Sequence, residues 1–469
     1  MRSLRYQSLN IVYMQAFSLP ANFSAEKLAD RALGNSLFDS IYTRDAEHED
    51  IRRYRLGEYP FSFKQTMFEE VTDGITDSFK GLMTVEATTY FDRFAVVRYY
   101  IPFNSKEAGG ALTTELLSGL HDLDQKNSIN CLLVTHPERD YISFPELLQE
   151  QRNTLCNRTT TSGNESHYLY FDIGQCTDDL GFPIVEMEDR PDLPLTAAMH
   201  SILTNQYEWQ DMRKEYGQKI NSENIAATKD ELIMLNDTSC VSILTNIWID
   251  APHRASQNEG GIEWAPKSPL PFLQQKEGSA WSLRWPELSV LIETSFIQRH
   301  ILSVANKALK SQSHALLDSS TRAVNYHYVE RSINENVELR LLLANATSRF
   351  EEVGEVNLRN MQESIRPCFG LEAAMERVKT KMQYNDKALA MLSDSNRLHQ
   401  ARQLNIVLAI LSAASVLGLL FTQIKSPFVQ RVFSVSDYYA ELAGIGIISL
   451  SICIMTICLI IVFRNQRDA

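Results

Sequence analysis

Two long apolar runs near the C-terminal end of the chain decide the predicted fold. Leu404–Phe421 reads LNIVLAILSAASVLGLLF, and Leu442–Phe463 reads LAGIGIISLSICIMTICLIIVF with no charged residue. A helix needs about 20 apolar residues to cross a hydrocarbon core of about 30 Å. The second run has that length, and the first reaches it if its helix continues to Ile424. The sequence therefore predicts a transmembrane hairpin with spans at 404–424 and 442–463, and uncharged runs this long disfavour the alternative of two buried core helices.

The charges around the two runs predict their orientation. Basic residues flank the outer ends of the runs, whereas the loop between them carries Lys425 and Arg431 against Asp437 and Glu441. This distribution favours a cytoplasmic location for both termini. The apolar residues at the start of the chain are interrupted by polar ones, so no signal peptide is predicted there. We therefore expect a multi-pass integral protein of the inner or plasma membrane, with cytoplasmic N- and C-termini.

The composition excludes several classes of function. The chain has 469 residues and a formal net charge of −13, whereas a nucleic-acid-binding protein normally carries a basic surface. Its seven cysteines include no Cys-x-x-Cys pair, which indicates free thiols rather than a zinc site or a disulfide framework. No glycine-rich phosphate loop, Gly-x-Ser-x-Gly elbow or His-Glu-x-x-His motif occurs. We therefore predict no nucleic-acid binding, no enzymatic activity and no cofactor.

Residues 1–285 alternate between strand and helix signals. Thr84–Phe103 is rich in β-branched and aromatic residues and predicts two adjacent strands that turn near Phe91–Arg93. The alternation indicates a sheet covered by helices, and the proline- and glycine-rich segment Pro252–Ser282 marks a boundary. We therefore predict a cytoplasmic α/β sensor domain at 1–285. Further strands are predicted at 129–137, 165–173 and 239–249.

Helical patterns dominate from Pro286 onward. Leu288–Leu317 contains no helix breaker, and a second helical stretch is predicted from about Thr321 to Ile365, with Gly354 as its one weak point. The segment Arg366–Gly370 then forces a turn before a third long helix. The third helix begins at Leu371 and meets no proline or glycine before Gly418, so it is predicted to continue into the first span without a break. The sequence therefore predicts a helical stalk at 286–402 and a transmembrane hairpin with a short basic tail at 403–469.

The third helix carries a heptad pattern, typical of a coiled coil, in which seam positions recur at alternating spacings of four and three. The seam turns polar just before the first span. If the helices form a parallel bundle, this face of the helix lines a hydrated pore. The alternative is that these polar residues are solvent-exposed seam positions near the end of a helix. A second face of small residues, Ser415, Gly418 and Thr422, is an alternative pore face, although close helix packing is its commoner role. The pore-lining candidates on the seam are Asn396, His399, Gln403, Ile406, Ile410, Ala413 and Leu417.

This layout resembles the CorA-type magnesium channels of the two-transmembrane GxN superfamily. Its members combine an N-terminal cytoplasmic α/β domain, two helices that fold back, a long stalk helix that enters the first of two spans, and a basic C-terminal tail. The resemblance implies a homo-pentamer whose first span lines the pore and whose cytoplasmic domain gates it by binding divalent ions between subunits. The family's Gly-Met-Asn signature does not occur, and Leu419–Lys425 occupies the place where that signature would end the first span. No selectivity residue of the family therefore maps onto this chain.

The sequence and the resemblance together predict a divergent CorA-like channel or transporter for magnesium or another metal ion. A divalent cation is then a substrate or regulator, and a small molecule or an ion is the expected regulatory partner. One alternative is a membrane effector of bacterial defence or stress that permeabilises the membrane when a ligand binds, and a second is a membrane-anchored scaffold. Acidic runs such as Arg44–Asp50 carry oxygen ligands for a metal ion, but they are more typical of solvated loops.

Overall fold

The chain forms two compact units in the computed structural model. Unit 1 comprises Met1–Val304 and Leu342–Glu376, and unit 2 comprises Ala305–Leu341 and Arg377–Ala469. The residues that the structure describes are 5–6, 8–20, 23–33, 41–42, 50–65, 79–104, 112–125, 130–136, 139–156, 165–177, 195–205, 225–226, 231–244, 286–319, 326–348, 350, 353–424, 446, 449–450, 453 and 456–457.

Unit 1 is built on an 11-stranded mixed sheet. Its strands are β1 (Arg5–Tyr6), β2 (Ser8–Ser18), β3 (Ala32–Leu33), β4 (Ile51–Gln65), β5 (Phe79–Tyr90), β6 (Phe94–Asn104), β7 (Asn130–Thr135), β8 (Tyr141–Ser143), β9 (Ser166–Thr177), β10 (Glu231–Leu235) and β11 (Ser239–Leu244). Their order across the sheet is β10-β11-β9-β2-β6-β5-β4-β7-β8, while β1 pairs with β9 and β3 pairs with β4. Among these strands every pairing is antiparallel except that of β9 with β11.

The predicted turn between the two strands of Thr84–Phe103 is confirmed. Strand β5 ends at Tyr90, β6 begins at Phe94, and Tyr90 pairs directly with Phe94. Between them Phe91 and Asp92 adopt left-handed φ angles of 56° and 52°, which reverse the chain within three residues. Left-handed backbone is strained for a side chain as bulky as Phe91, so the pairing of the two strands has to stabilise this turn.

The two faces of the sheet follow from the alternation of side chains along each strand. In β6, Val97 and Tyr99 belong to the main hydrophobic core, whereas Arg98 and Tyr100, which alternate with them, face the opposite side. The core face is covered by three short helices: α1 (Thr114–Gly119), α2 (Phe144–Cys156) and α3 (Leu195–Thr204). Thr113 caps α1 through its side-chain oxygen, which accepts a hydrogen bond from the Leu116 N–H.

The opposite face of the sheet is covered by the first part of a long helix, α4 (Pro286–Ser319). Tyr168 of β9 contacts Phe296 of this helix, with ring centroids 5.7 Å apart, and Arg98 of β6 forms an ion pair with Glu293. The remaining helices are α5 (Tyr326–Ser348), α6 (Val356–Cys368) and α7 (Leu371–Ile424). Gly370 separates α6 from α7 with a φ of +61°, which only glycine adopts without strain.

Unit 2 contains the second part of α4, the first part of α5 and most of α7. Leu316, Val329 and Leu389, one from each helix, form its buried apolar cluster. Asn385 of α7 is buried beside this cluster and is well satisfied. Its side-chain nitrogen donates to the Leu309 carbonyl at 3.2 Å, and its side-chain oxygen accepts from Ser313 at 2.7 Å. Because both partners belong to α4, this buried amide fixes the register of α7 against α4.

The predicted fold class is wrong in its membrane hairpin. In the part of the chain that the structure describes, no helix is long and apolar enough to cross a membrane. The first predicted span, 404–424, is the last part of the continuous helix α7, and most of the second, 442–463, lies outside the described residues. Composition alone misled the prediction, because an apolar run is the same whether lipid or protein covers it.

The sensor domain is corrected as well, from an α/β fold to an α+β fold with a mainly antiparallel sheet, because α/β proteins are built on parallel strands. The predicted multi-pass membrane location and membrane transport lose their structural basis with the hairpin.

Candidate functional site

Large apolar side chains remain exposed along α7 from Met391 onward. Their exposed fractions range from 39% at Leu411 to 72% at Met391. They occupy more than one side of the helix, because neighbours such as Leu404, Ile406 and Leu408 are two residues apart on a helix of about 3.6 residues per turn. A helix with apolar residues on several sides is normally covered by neighbouring structure. We call this apolar surface, which comprises Met391, Leu398, Leu404, Ile406, Leu408, Leu411 and Val416, the α7 surface.

The heptad seam of α7 is covered in its first half only. Val378, Met382, Asn385 and Leu389 are each at most 6% exposed, because they pack within unit 2. Farther along the same seam, Ile406 is exposed although it follows the same spacing. The chain therefore supplies partners for the first half of its own seam and leaves apolar positions of the second half open.

The predicted pore residues all lie on α7, and the structure describes only some of their side chains. Gln403 and Ile410 are half-buried, whereas Ile406, Ala413 and the alternative Ser415 are exposed. The Ser415 hydroxyl donates to the Leu411 carbonyl at 2.9 Å, so it is bonded to its own helix. The side chains of Asn396, His399, Leu417, Gly418 and Thr422 lie outside the described residues. A pore lined by these positions stays a prediction.

Three hydrogen-bonded polar residues on the core face of the sheet connect the buried Tyr13 to the exposed His167 at the surface of unit 1. The Tyr13 hydroxyl donates to Asp124 Oδ2 at 3.0 Å and lies 2.6 Å from His167 Nδ1. A phenol has one proton to donate, so the second contact requires that His167 Nδ1–H donates to the Tyr13 oxygen. This leaves Nε2 of the neutral imidazole as an acceptor on an exposed side chain.

Burial explains the shifted pKa values of Tyr13 and His167 in this cluster. Burial and then the neighbouring Asp124 carboxylate raise the pKa of the Tyr13 phenol well above its ordinary range, so Tyr13 stays protonated. The His167 side chain is exposed as a whole, but the ring edge that meets Tyr13 is shielded from water. This shielding lowers the pKa of His167, although Asp124 opposes the shift. The arrangement therefore holds a neutral, oriented imidazole at neutral pH, and no nucleophile among the described residues is bonded to it.

A second polar cluster is buried between the sheet and α4. Arg98 Nη1 lies 2.7 Å from Glu293 Oε2, and Arg98 Nη2 lies 3.1 Å from Glu86 Oε2. Arg53 pairs with the same Glu86 oxygen at 2.9 Å, and the Tyr90 hydroxyl donates to Glu293 Oε1 at 2.7 Å. Burial alone lowers the pKa of Arg98, but the surrounding carboxylates outweigh it and raise the net value. Two arginines balance two glutamates, so this cluster fastens α4 to the sheet and exposes no reactive group.

The described residues contain no group of three or more histidine, cysteine, aspartate or glutamate side chains that could hold a metal ion. Within the acidic run Arg44–Asp50 only Asp50 is described. Comparison with protein families, with characterised proteins and with solved structures finds no match for this chain. The resemblance to the CorA-type channels therefore stays untested.

Sequence reasoning missed the chain of Asp124, Tyr13 and His167. These residues are separated by 111 and 154 positions along the chain, and none belongs to a recognisable motif. The one local signal given by the sequence was the strand predicted at 165–173, which contains His167. The adjacency of Tyr13 and His167 depends on the pairing of β2 with β9, which no local pattern specifies.

Proposed function

We propose that this chain is a self-assembling scaffold protein, in which the α7 surface joins identical copies and unit 1 is the domain that the assembly presents. The observation that carries the proposal is the exposure of apolar side chains along α7 between Met391 and Val416. Exposed apolar patches of this extent in a folded protein mark interaction surfaces. Scattered single apolar residues would need no such explanation, but these follow one another along a single helix.

A second copy of α7 suits this surface for two reasons. Identical helices present the same apolar rows to each other, so one helix offers the knobs and the holes that its partner needs. The row Leu404, Leu408 and Leu411 has the alternating spacing of four and three residues that such packing uses. Symmetric assembly of identical chains is also the commonest form of protein oligomer.

Helix α7 links assembly to unit 1 through covalent continuity. It begins at Leu371, within unit 1, and runs as one helix of 54 residues to Ile424. Assembly through its second half therefore brings several copies of unit 1 onto one particle. The cation transport predicted above depended on a membrane hairpin and is not part of this proposal. The pentameric count stays a prediction from the resemblance.

Native mass spectrometry and light scattering of the full chain test the proposal. We expect a homo-oligomer at micromolar concentration, and we expect Leu404→Glu/Leu408→Glu to dissociate it. Burial of one leucine contributes about 1.5–3 kcal/mol, so loss of two per copy weakens association at least about a hundredfold. The matched control is Gln383→Glu/Ala390→Glu, which adds two charges at exposed positions of the same helix outside the α7 surface.

Two outcomes would contradict the proposal. One is a monomeric wild-type chain at micromolar concentration. The other is an oligomer that the leucine substitutions and the control substitutions weaken to the same extent. Binding to lipid vesicles by a wild-type chain that stays monomeric would show that lipid, and not a second copy, covers the α7 surface.

A further inference from the structure

A pocket opens within unit 1 among four helices. Its volume is about 250 Å³, and its walls come from α4, the end of α5, α6 and the first turns of α7. The floor is formed by apolar side chains that are almost fully buried. These are Ile301, Leu302, Leu343, Ala346 and Leu371. Pockets with apolar walls and a few polar groups are the usual form of small-molecule sites.

The volume of the pocket limits the size of its ligand. A cavity of about 150 Å³ lined by apolar side chains is known to bind benzene. The present pocket therefore accommodates one aromatic ring with a short side chain, or an aliphatic group of similar size, and it is smaller than most drug-binding pockets.

The polar groups inside the pocket are already bonded to the protein. Gln298 donates its side-chain N–H to the Ala346 carbonyl at 3.0 Å, and the Thr347 hydroxyl donates to the Leu343 carbonyl at 2.7 Å. Neither group needs a ligand to complete these bonds. The charged residues that line the pocket therefore decide which ligand it selects.

Those charged residues are two glutamates and one arginine. Glu372 and Glu376 are exposed and lie four residues apart, so they occupy the same face of α7. Like charges at this spacing repel each other and destabilise a helix, and a bound cation removes that repulsion. Arg366 is half-buried and leaves the lining residues with a net negative charge.

The geometry points to a binding site for a small apolar ammonium compound, whose hydrophobic body fills the pocket and whose positive group lies between Glu372 and Glu376. This site lies within unit 1 and does not depend on assembly through α7. The site goes beyond the scaffold function, because a ligand bound there would contact the first turns of α7 in each copy of the assembly.

Calorimetric titration of the full chain with three probes of one size tests the site. The probes are 2-phenylethylamine, 2-phenylethanol and 3-phenylpropionate, which differ mainly in charge. We expect saturable binding of the amine, roughly two- to fivefold tighter than the alcohol, with the carboxylate weakest. Glu372→Gln/Glu376→Gln is expected to remove the preference for the amine and to leave the affinity for the alcohol unchanged. Ala346→Phe fills the floor and is expected to abolish binding of all three.

The control variant Glu363→Gln changes an exposed carboxylate that does not line the pocket, and it is expected to bind like the wild type. Tighter binding of the carboxylate, equal binding of all three probes, or no saturable binding at millimolar concentration would each overturn the proposal. Retention of the amine preference in Glu372→Gln/Glu376→Gln would do the same, and this variant keeps the test informative if Ala346→Phe does not fold. The affinities do not depend on the oligomeric state, so their outcome is separate from the test of assembly.

Discussion

The buried pair of Arg98 and Glu293 makes a sharp prediction about stability. Both side chains are at most 1% exposed, and Arg98 is the cation that lies 2.7 Å from the Glu293 carboxylate. Arg98→Met keeps a similar volume and removes the charge, so that among the described residues Glu293 is left with the hydrogen bond from Tyr90. Removal of one partner of a buried ion pair costs about 3–5 kcal/mol, because the other charge stays buried without compensation.

The size of the loss can be worked out from protonation. In the folded variant Glu293 escapes the buried charge by binding a proton, whereas in the unfolded chain it is ionised at pH 7. The difference between pH 7 and the ordinary glutamate pKa of about 4.3 corresponds to a protonation free energy of about 3.7 kcal/mol. At pH 5 the same reasoning gives about 1 kcal/mol. Because the folded variant then binds more protons than the unfolded chain, its stability relative to wild type rises as the pH falls.

Urea denaturation followed by circular dichroism at pH 7 and pH 5 measures this difference. We expect Arg98→Met to lose about 3–4 kcal/mol at pH 7 and much less at pH 5. The double variant Arg98→Met/Glu293→Gln is expected to recover most of the loss and to show no such pH dependence. Arg55→Met, which removes an exposed pair with Glu58 on β4, serves as the control and is expected to cost at most about 1 kcal/mol. An equal loss at both pH values would refute the reasoning, because a packing defect does not titrate.

Three further predictions concern single positions. Gly370→Ala is expected to destabilise the chain by about 1–2 kcal/mol in urea denaturation, because its φ is +61°, and Gly370→Asn by less. Gly81→Ala is expected to cost about 1–3 kcal/mol, because its new methyl group would lie 2.7 Å from the Phe61 ring, and an unchanged midpoint would contradict this. Burial lowers the pKa of His121, although its hydrogen bond to the Ile202 carbonyl opposes the shift. Its stabilising effect is therefore full above the unfolded pKa of about 6.5 and is lost as the pH falls below that value. His121→Gln should show a smaller loss of stability between pH 7.5 and pH 5.5, measured by thermal denaturation.

Strong local patterns made most of the individual elements of unit 1 predictable. The strands on either side of Phe91 and Asp92 were identified because β-branched and aromatic residues dominate Thr84–Phe103, and the structure confirms them as β5 and β6. The unbroken helix from Leu371 was found for an equally local reason, the absence of proline and glycine. These signals lie within a few turns or strand lengths, where sequence and conformation are directly coupled.

The arrangement of the elements was not predictable in the same way. The order of strands places β2 beside both β6 and β9, and β9 follows it by about 150 residues. Pairing over such distances depends on the whole core, so neither the antiparallel sheet nor the contact of Tyr13 with His167 could be derived. The membrane span predicted at 404–424 was wrong for another physical reason. The apolar composition of this run indicates that the helix is covered, but it does not distinguish lipid from protein as the covering surface.

The central position of β2 also affects how the chain is made. This strand ends at Ser18, whereas one of its two neighbours in the sheet, β9, ends at Thr177. At a synthesis rate of about 5–20 residues per second, β2 waits roughly 10–30 s for that neighbour. During this interval one edge of a strongly apolar strand has no partner from its own chain, and such edges attract other chains. Production of this protein in a fast-translating host should therefore depend on chaperones that shield nascent strands, and slower synthesis at low temperature should not by itself replace them.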